Sequence, residues 1–205
     1  MLNMDPSRET VAYMVRHGEL HDMSVWDGWS DMDLSAEGCQ QAEKAALWLS
    51  FERIGRVVSS DVPRAAHTAQ YLMDTGCVVC PYITFEPNLR PRMVAGFTGL
   101  EKTPARVAEF KKYIDDPSLV IPGGESGNQL EQRIQVIWQY VMTPYDAKPT
   151  AFFMHNSVMK ALMGLEDVKE IVEPGGIVAI LMDEKGALSF EVVLGAVPLE
   201  KGVNG

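Results

Sequence analysis

The sequence is short of several features that would point to particular classes of protein. It has no apolar run near the roughly 20 residues that a membrane-spanning helix needs, so no membrane contact is predicted. Its three cysteines are too few for a disulfide framework. Positive charge is scarce as well, because 18 lysines and arginines stand against 28 aspartates and glutamates, for a formal net charge of −10. Since nucleic-acid-binding proteins present a basic face, no nucleic-acid partner is predicted.

The cysteine pair Cys77 and Cys80 has a spacing that is found in some redox and metal sites. A second pair is missing, and zinc usually takes four such ligands. The intervening Val78 and Val79 favour a buried strand instead, and no metal site is predicted. The first ten residues are polar, without a basic start or an apolar stretch, which predicts no secretory signal and a cytoplasmic protein.

What the sequence does contain is an alternation of strand and helix patterns. Strands are predicted at 11–15, 56–59, 77–80, 150–154, 176–182 and 187–194. Helices are predicted at 35–51, 63–73 and 105–114, from Ser126 through Val141, and at 158–165. The irregular stretch 81–124 indicates an insertion over one end of the sheet. The alternation predicts a single α/β domain over residues 1–205, a three-layer sandwich with a mostly parallel central sheet.

Residues suited to phosphate binding follow three of the predicted strands. In chain order they are Arg16, His17 and Gly18, then Ser60 and Arg64, then His155 and Asn156. Because ligands bind beyond the carboxyl ends of parallel strands, we expect these side chains to meet at one rim of the sheet. Arginine offers a planar fork of donors to phosphate oxygens, and a histidine among such groups is a candidate nucleophile. The alternative is a histidine that only completes the core; two histidines at strand ends favour the phosphate site.

The same residues carry a resemblance to a known family. Arg16-His17-Gly18, residues 28–38, Ser60 with Arg64, and His155 resemble, in this order, the motifs of the phosphoglycerate mutase-like branch of the histidine phosphatase superfamily. The resemblance implies the fold of that branch, no metal or organic cofactor, and a small phosphorylated compound or inorganic phosphate as the ligand. It also implies that His17 is the nucleophile that becomes phosphorylated, while both arginines and His155 hold the phosphoryl oxygens.

Four residues are assigned to the substrate side of the predicted site. Gly18, Ser60, Asn156 and Lys102 are expected to contact the substrate. For Ser60 a helix cap is an equal alternative, and for Asn156 a local turn bond is. No oligomeric state is predicted.

The sequence departs from the family at the residue that usually donates a proton to the leaving group. Pro91 stands where the family usually has a glutamate, and the flanking residues 92–102 keep the outline of the segment. Glu101 and Glu86 are the candidate replacement acids, with Asp22 as a third. General acid catalysis contributes roughly 10²- to 10⁴-fold to a rate, so its loss matters most for poor leaving groups.

Three functions therefore remain open. The first is a metal-independent phosphohydrolase that acts through phosphohistidine. The second is a phosphate-binding regulatory or scaffold protein that has lost catalysis together with its acid. The third, phosphoglycerate mutase, is ranked last because Lys111 and Lys112 stand in the insertion instead of the arginine pair of the family's mutases.

Overall fold

The computed structural model describes residues 8–164 and 172–196. Its strands are β1 (Arg8–Arg16), β2 (Arg56–Ser59), β3 (Ile83–Phe85), β4 (Thr150–Met154), β5 (Val172–Asp183) and β6 (Leu188–Ala196). Its helices are α1 (Ala36–Leu49), α2 (Pro63–Asp74), α3 (Pro104–Asp115), α4 (Gly127–Ile134), α5 (Ile137–Met142) and α6 (Asn156–Met163), with a 3-10 turn at Pro87–Leu89. In this part of the chain, no helix has the length and apolar character to cross a bilayer.

The six strands form one sheet in the order β3-β2-β4-β1-β5-β6. The first four of these run parallel to one another, and β5 and β6 form an antiparallel hairpin at the edge. The hairpin turn is closed by Asp183, whose side chain accepts hydrogen bonds from the backbone N–H groups of Lys185 and Ala187. The predicted mostly parallel sheet with a terminal hairpin is confirmed.

Side chains of β1 alternate between the two faces of the sheet, as the geometry of a strand requires. Ala12 and Met14 pack with α4, α5 and α6 on one face. Tyr13 and Val15 pack with α1 and α2 on the other face. Helices therefore cover both faces of a buried sheet, and the predicted three-layer α/β sandwich is confirmed.

The helix predicted from Ser126 has the start that its sequence specifies. Ser126 and Gln129 form a reciprocal capping box, which satisfies two backbone donors at the N-terminus. The chain then forms two helices, α4 and α5, separated by Gln135 and Val136. The predicted apolar stripe is buried at all four of its positions, Leu130, Ile134, Ile137 and Val141.

The strand predicted at 77–80 is wrong. Those residues pack against the turn before β2 through two backbone bonds, from Val79 N–H to the Ile54 carbonyl and from Cys80 N–H to the Gly55 carbonyl. Pro81 has no N–H to continue such a ladder. Pairing with β2 begins only at β3, where Ile83 lies opposite Val57.

The predicted insertion at 81–124 is accordingly too long at its start, because β3 belongs to the sheet. The remainder carries the predicted helix, α3, in which none of the side chains is fully buried. A small separate core supports this region, made of Val94, Phe97 and Ile121 with Trp26, Phe110 and Tyr113 packed against them. The helix predicted at 158–165 begins two residues earlier, at Asn156, and residue 165 lies outside the described residues.

Candidate active site

The carboxyl ends of three neighbouring parallel strands bring the predicted residues together. His17 follows β1, Ser60 follows β2 and His155 follows β4, the strand that lies between β1 and β2. Backbone bonds continue the ladders past the strand ends, from His17 N–H to the Met154 carbonyl at 3.1 Å and from Ser60 N–H to the Phe153 carbonyl at 2.9 Å. We call His17, Ser60 and His155, with Arg16 and Arg64, the strand-end rim.

His17 is held as a neutral ring with one nitrogen available for reaction. Its Nδ1 lies 2.7 Å from the Gly18 carbonyl oxygen, which only accepts hydrogen bonds, so the ring proton sits on Nδ1 and Nε2 keeps its lone pair. Burial, followed by the positive charges of Arg64 and Arg16, lowers the pKa of His17 to about 3, against the hydrogen bond to Gly18, which raises it. A neutral imidazole with a free Nε2 is the form that attacks phosphorus.

Gly18 has a packing role that the sequence did not predict. A Cβ at this position would lie 2.2 Å from the Gly38 carbonyl oxygen, so only glycine lets the turn approach the start of α1. The Gly18 N–H donates to Thr68 Oγ1 at 3.2 Å. The residue is also absent from the lining of the cavity described below, so its predicted contact with substrate finds no support in the structure.

The two arginines of the rim differ in where their guanidinium groups are held. Arg16 donates to the Val172 carbonyl at 2.7 Å and lines the cavity. Arg64 is fully buried behind the cavity, where it forms an ion pair with Asp27 at 2.8 Å. It also donates to the carbonyls of Gly28 and Ser30 at 2.6 and 3.1 Å, and thereby fixes the loop that carries Asp27. Burial lowers the pKa of Arg64, and Asp27 raises it.

Asp27 is a site residue that the sequence reasoning missed. The signal for it was Arg64: an arginine at the start of a buried helix requires a carboxylate partner, because an unpaired buried charge is costly.

His155 is the second buried histidine of the site. Its ring centroid lies 5.0 Å from that of His17, and its Nε2 lies 3.0 Å from Ser60 Oγ. Burial, followed by the neighbouring His17 and Arg64, lowers its pKa well below the ordinary histidine value. Among residues 8–164 and 172–196, none forms a hydrogen bond with Nδ1 of this ring. A buried polar atom without a protein partner indicates a place for a ligand.

The other three residues that were predicted to contact the substrate lie in different positions relative to the cavity. Ser60 is fully buried and bonded to His155, and it does not line the cavity, so it positions that histidine. Asn156 lines the cavity as the first residue of α6. Lys102 lines the cavity from its exposed edge, where its Nζ donates to the Met23 carbonyl at 2.9 Å.

A cavity of about 280 Å³ opens beside His17 and His155. Its outer side is formed by six residues that follow the 3-10 turn, which we call the insertion wall: Pro91, Arg92, Val94, Lys102, Phe110 and Ile114. The sequence predicted that the insertion covers this end of the sheet, but not which of its side chains reach the site.

Pro91, in the position of the family's usual acid, is fixed in place at the cavity. Its carbonyl accepts hydrogen bonds from Trp29 Nε1 and Arg133 Nη2, both at 2.8 Å. Arg133 is itself paired with Glu125 at 2.6 Å, and Arg90 stacks over the Trp29 ring. The backbone at this position is therefore held from two sides.

Of the three candidate replacement acids, only Asp22 lines the cavity. Glu86 caps the 3-10 turn through Asn88, and Glu101 is exposed; neither lines the cavity. Asp22 does line it, but hydrogen bonds from Ser24, with a smaller effect of Lys102, lower its pKa, which favours the ionised carboxylate over a proton donor. The described carboxylates at the cavity are thus Asp22 and Asp27. Across residues 8–164 and 172–196, no three histidine, cysteine or acidic side chains are grouped as a metal site would require.

Comparison with known families gives a match over most of the chain. The model of the histidine phosphatase superfamily (branch 1) matches residues 12–169, which include every residue of the strand-end rim.

Two curated relatives show the range of activities among similar proteins. The 2,3-bisphosphoglycerate-dependent phosphoglycerate mutase of Cytophaga hutchinsonii is 27% identical over 165 residues, which are 75% of this chain and 75% of the mutase. The fructose-2,6-bisphosphatase TIGAR of Xenopus tropicalis is 30% identical over 132 residues, which are 62% of this chain and 48% of that protein.

A solved structure shows the same fold. The mycobacterial glucosyl-3-phosphoglycerate phosphatase superposes with a TM-score of 0.74 at 20% identity, over 93% of this chain and 99% of that one. The mycobacterial phosphatase has also been solved in complex with inorganic phosphate. The predicted fold, the predicted family and the predicted enzyme class, a histidine-type phosphatase, are confirmed by these comparisons. The chain belongs to branch 1 of the histidine phosphatase superfamily.

Proposed function

We propose that this protein is a phosphohydrolase that transfers the phosphoryl group of a small phosphorylated compound to His17 and then to water. The observation that carries the proposal is the state of His17: it is buried, neutral and hydrogen-bonded through Nδ1, so Nε2 is the reactive atom. In the first step a P–N bond forms as the ester P–O bond breaks, and the leaving oxygen departs with the bonding electron pair. In the second step water attacks phosphorus and releases a proton to solvent, where the leaving oxygen takes one up, while the P–N bond breaks and Nε2 regains its lone pair.

Two arginines place positive charge near the negatively charged phosphoryl oxygens. Arg16 faces the cavity with a guanidinium fixed by the Val172 carbonyl, and Arg64 adds a buried positive charge behind it. Groups that are held in place before the reaction stabilise developing charge without reorganisation. We therefore expect activity without an added metal ion, and it should persist in the presence of a chelator.

His155 is proposed to donate a hydrogen bond to a phosphoryl oxygen. If the Ser60 hydroxyl donates to Nε2, the neutral ring carries its proton on Nδ1, the atom for which the described residues supply no partner. Asn156 follows at the first turn of α6, where backbone N–H groups and the helix dipole favour an anion. Both residues line the same cavity as His17.

The second candidate is a phosphate-binding regulatory or scaffold protein with little turnover. It is favoured by one observation: Pro91 replaces the usual acid, and neither Glu86 nor Glu101 lines the cavity. Phosphoglycerate mutase remains the third, because Lys111 and Lys112 lie exposed on α3, where Lys111 pairs with Asp115. Cytoplasmic location, the single domain over residues 1–205 and the absence of a nucleic-acid partner stay predictions.

The test compares 4-nitrophenyl phosphate with glucose 6-phosphate as substrates. A working nucleophile without a good acid hydrolyses the aryl ester alone; hydrolysis of both indicates a replacement acid, and hydrolysis of neither favours the binding protein. Replacement of the nucleophile, His17→Ala, should lower kcat/KM for the aryl ester by on the order of 10⁴-fold or more. The exposed His67, which pairs with Asp33, provides the control: His67→Ala should retain full activity. Full activity in His17→Ala would exclude the mechanism.

A further inference from the structure

Apolar side chains supply much of the lining of the cavity beside His17. Seven of them line it: Leu20, Met23, Val25, Trp26, Val94, Phe110 and Ile114. The aromatic members are packed together, since the Trp26 and Phe110 ring centroids lie 5.4 Å apart and Phe97 supports both at 5.3 and 5.2 Å. The part of a substrate that extends beyond its phosphoryl group would therefore contact a hydrophobic, partly aromatic surface.

Besides Arg16, four charged side chains line the cavity. The cations are Lys102, which is bonded to the Met23 carbonyl, and Arg92, which donates to the Tyr113 carbonyl at 2.9 Å. The anions are Asp22 and Asp27. Because Asp27 is paired with Arg64, Lys102 and Arg92 leave a small excess of positive charge over Asp22, and each of these two cations already donates to a backbone carbonyl.

Among the described residues at the cavity, no carboxyl group is suited to donate a proton to the leaving group. Pro91 supplies only a carbonyl that is already bonded to Trp29 and Arg133. The Asp22 carboxylate accepts hydrogen bonds from the backbone N–H and from the hydroxyl of Ser24. A sugar alkoxide would leave poorly from such a site, whereas an aryl oxide is stable enough to leave without a proton.

From the apolar lining and the missing carboxylic acid together we infer that the substrate is a phosphomonoester of a planar, apolar alcohol of the aryl class. This inference rests on the proposed phosphohydrolase function. As Nε2 of His17 bonds to phosphorus, the P–O bond breaks, and the aryloxide leaves with the bonding pair and takes a proton from solvent. The cavity of about 280 Å³ suits such a group, because an apolar cavity of about 150 Å³ already holds benzene.

The first experiment separates apolar recognition from leaving-group quality. The wild-type kcat/KM is measured for phenyl phosphate, 1-naphthyl phosphate, acetyl phosphate and 3-phosphoglycerate. The two aryl esters have leaving groups of similar acidity, so a preference for naphthyl of about tenfold would report contact with the apolar wall. Acetyl phosphate has the better leaving group but no ring, and we expect it to rank below both. An acetyl phosphate or 3-phosphoglycerate rate at or above that of 1-naphthyl phosphate would overturn the inference.

The second experiment uses a matched pair of variants on α3. Phe110 lines the cavity, whereas Val107, on the same helix, is 47% exposed and does not line it. Phe110→Ala should lower kcat/KM for 1-naphthyl phosphate about tenfold more than it lowers the value for acetyl phosphate. Val107→Ala should change neither. Equal losses on both substrates in Phe110→Ala would contradict a role in binding the aryl group.

A binding measurement keeps the inference testable even if turnover is negligible. His17→Ala removes the nucleophile and allows 1-naphthyl phosphate and inorganic phosphate to be titrated by calorimetry. We expect the aryl ester to bind at least tenfold more tightly than inorganic phosphate. Equal affinities would reject the aryl class whatever the wild-type rates are. Tight aryl binding without wild-type turnover would instead reject the hydrolase and leave the ligand class standing.

Discussion

Two parts of the molecule meet at the same cavity and differ in how they are built. The strand-end rim is buried, and each of its side chains is fixed by a hydrogen bond or an ion pair within the protein. The insertion wall stands on a small core of its own, and its helix α3 has no fully buried side chain. The rim supplies the chemistry common to the family, while the wall presents the surface that meets the rest of the substrate. Membership of the family therefore accounts for the residues of the strand-end rim, whereas the identity of the substrate depends on the insertion wall.

The largest expected contrast between the two parts is in stability. Arg64→Ala in the rim removes the partner of Asp27 and two bonds to loop carbonyls, so the free energy of unfolding should fall by about 3–5 kcal/mol. Lys102→Ala in the wall removes one exposed bond to the Met23 carbonyl and should cost less than about 1 kcal/mol. Urea denaturation of both variants measures the difference, and similar losses in the free energy of unfolding would contradict this prediction.

The next contrast concerns the missing acid. Pro91→Glu places a carboxyl group in the position where the family usually has one, at the edge of the cavity. We expect hydrolysis of glucose 6-phosphate to rise by about 10²-fold, with little change for 4-nitrophenyl phosphate, because only the poor leaving group needs the proton. Pro91→Ala is the control, since it removes the ring without adding an acid. An equal rise on both substrates would show that Pro91 limits something other than proton donation.

A third effect, smaller per pH unit than the two contrasts above, is expected in the dependence of stability on pH. The folded pKa of His17 is about 3, against an ordinary value of 6.5, so between these values the unfolded chain binds a proton that the folded chain does not. The free energy of unfolding should therefore decrease as the pH falls from 6.5 toward 3, by up to about 1.4 kcal/mol per pH unit for this one site. His17→Gln should remove that part of the slope. A wild-type His17 ring that titrates near pH 6.5 by NMR would contradict the buried, neutral state.

The fold was largely predictable because its signals are local and repeated. Apolar runs bounded by turn residues marked the parallel strands, and the pair Ser126 and Gln129 marked a helix start that the structure confirms. The strand at 77–80 failed because two valines between cysteines suggest burial, whereas Pro81 delays pairing until Ile83. A short edge strand makes few contacts, so its sequence constrains it weakly.

The site was predictable to the extent that topology alone assembles it. His17, Ser60 and His155 meet because three parallel strands end at one edge of the sheet. The direction of each polar side chain was not predictable: Arg64 points to Asp27 and Ser60 to His155, and both choices depend on packing between distant segments. The same is true of Phe110 and Ile114, which reach the cavity through the fold of the insertion.

Direct detection of a phosphorylated His17 is the measurement that bears most directly on this account. The wild-type protein is mixed with an aryl phosphate, quenched within milliseconds in base, where phosphohistidine survives, and mapped by mass spectrometry. We predict one added phosphoryl group on Nε2 of His17, absent from His17→Ala and present in His67→Ala. Turnover without any phosphorylated histidine, or a phosphoryl group on another residue, would contradict the proposed mechanism.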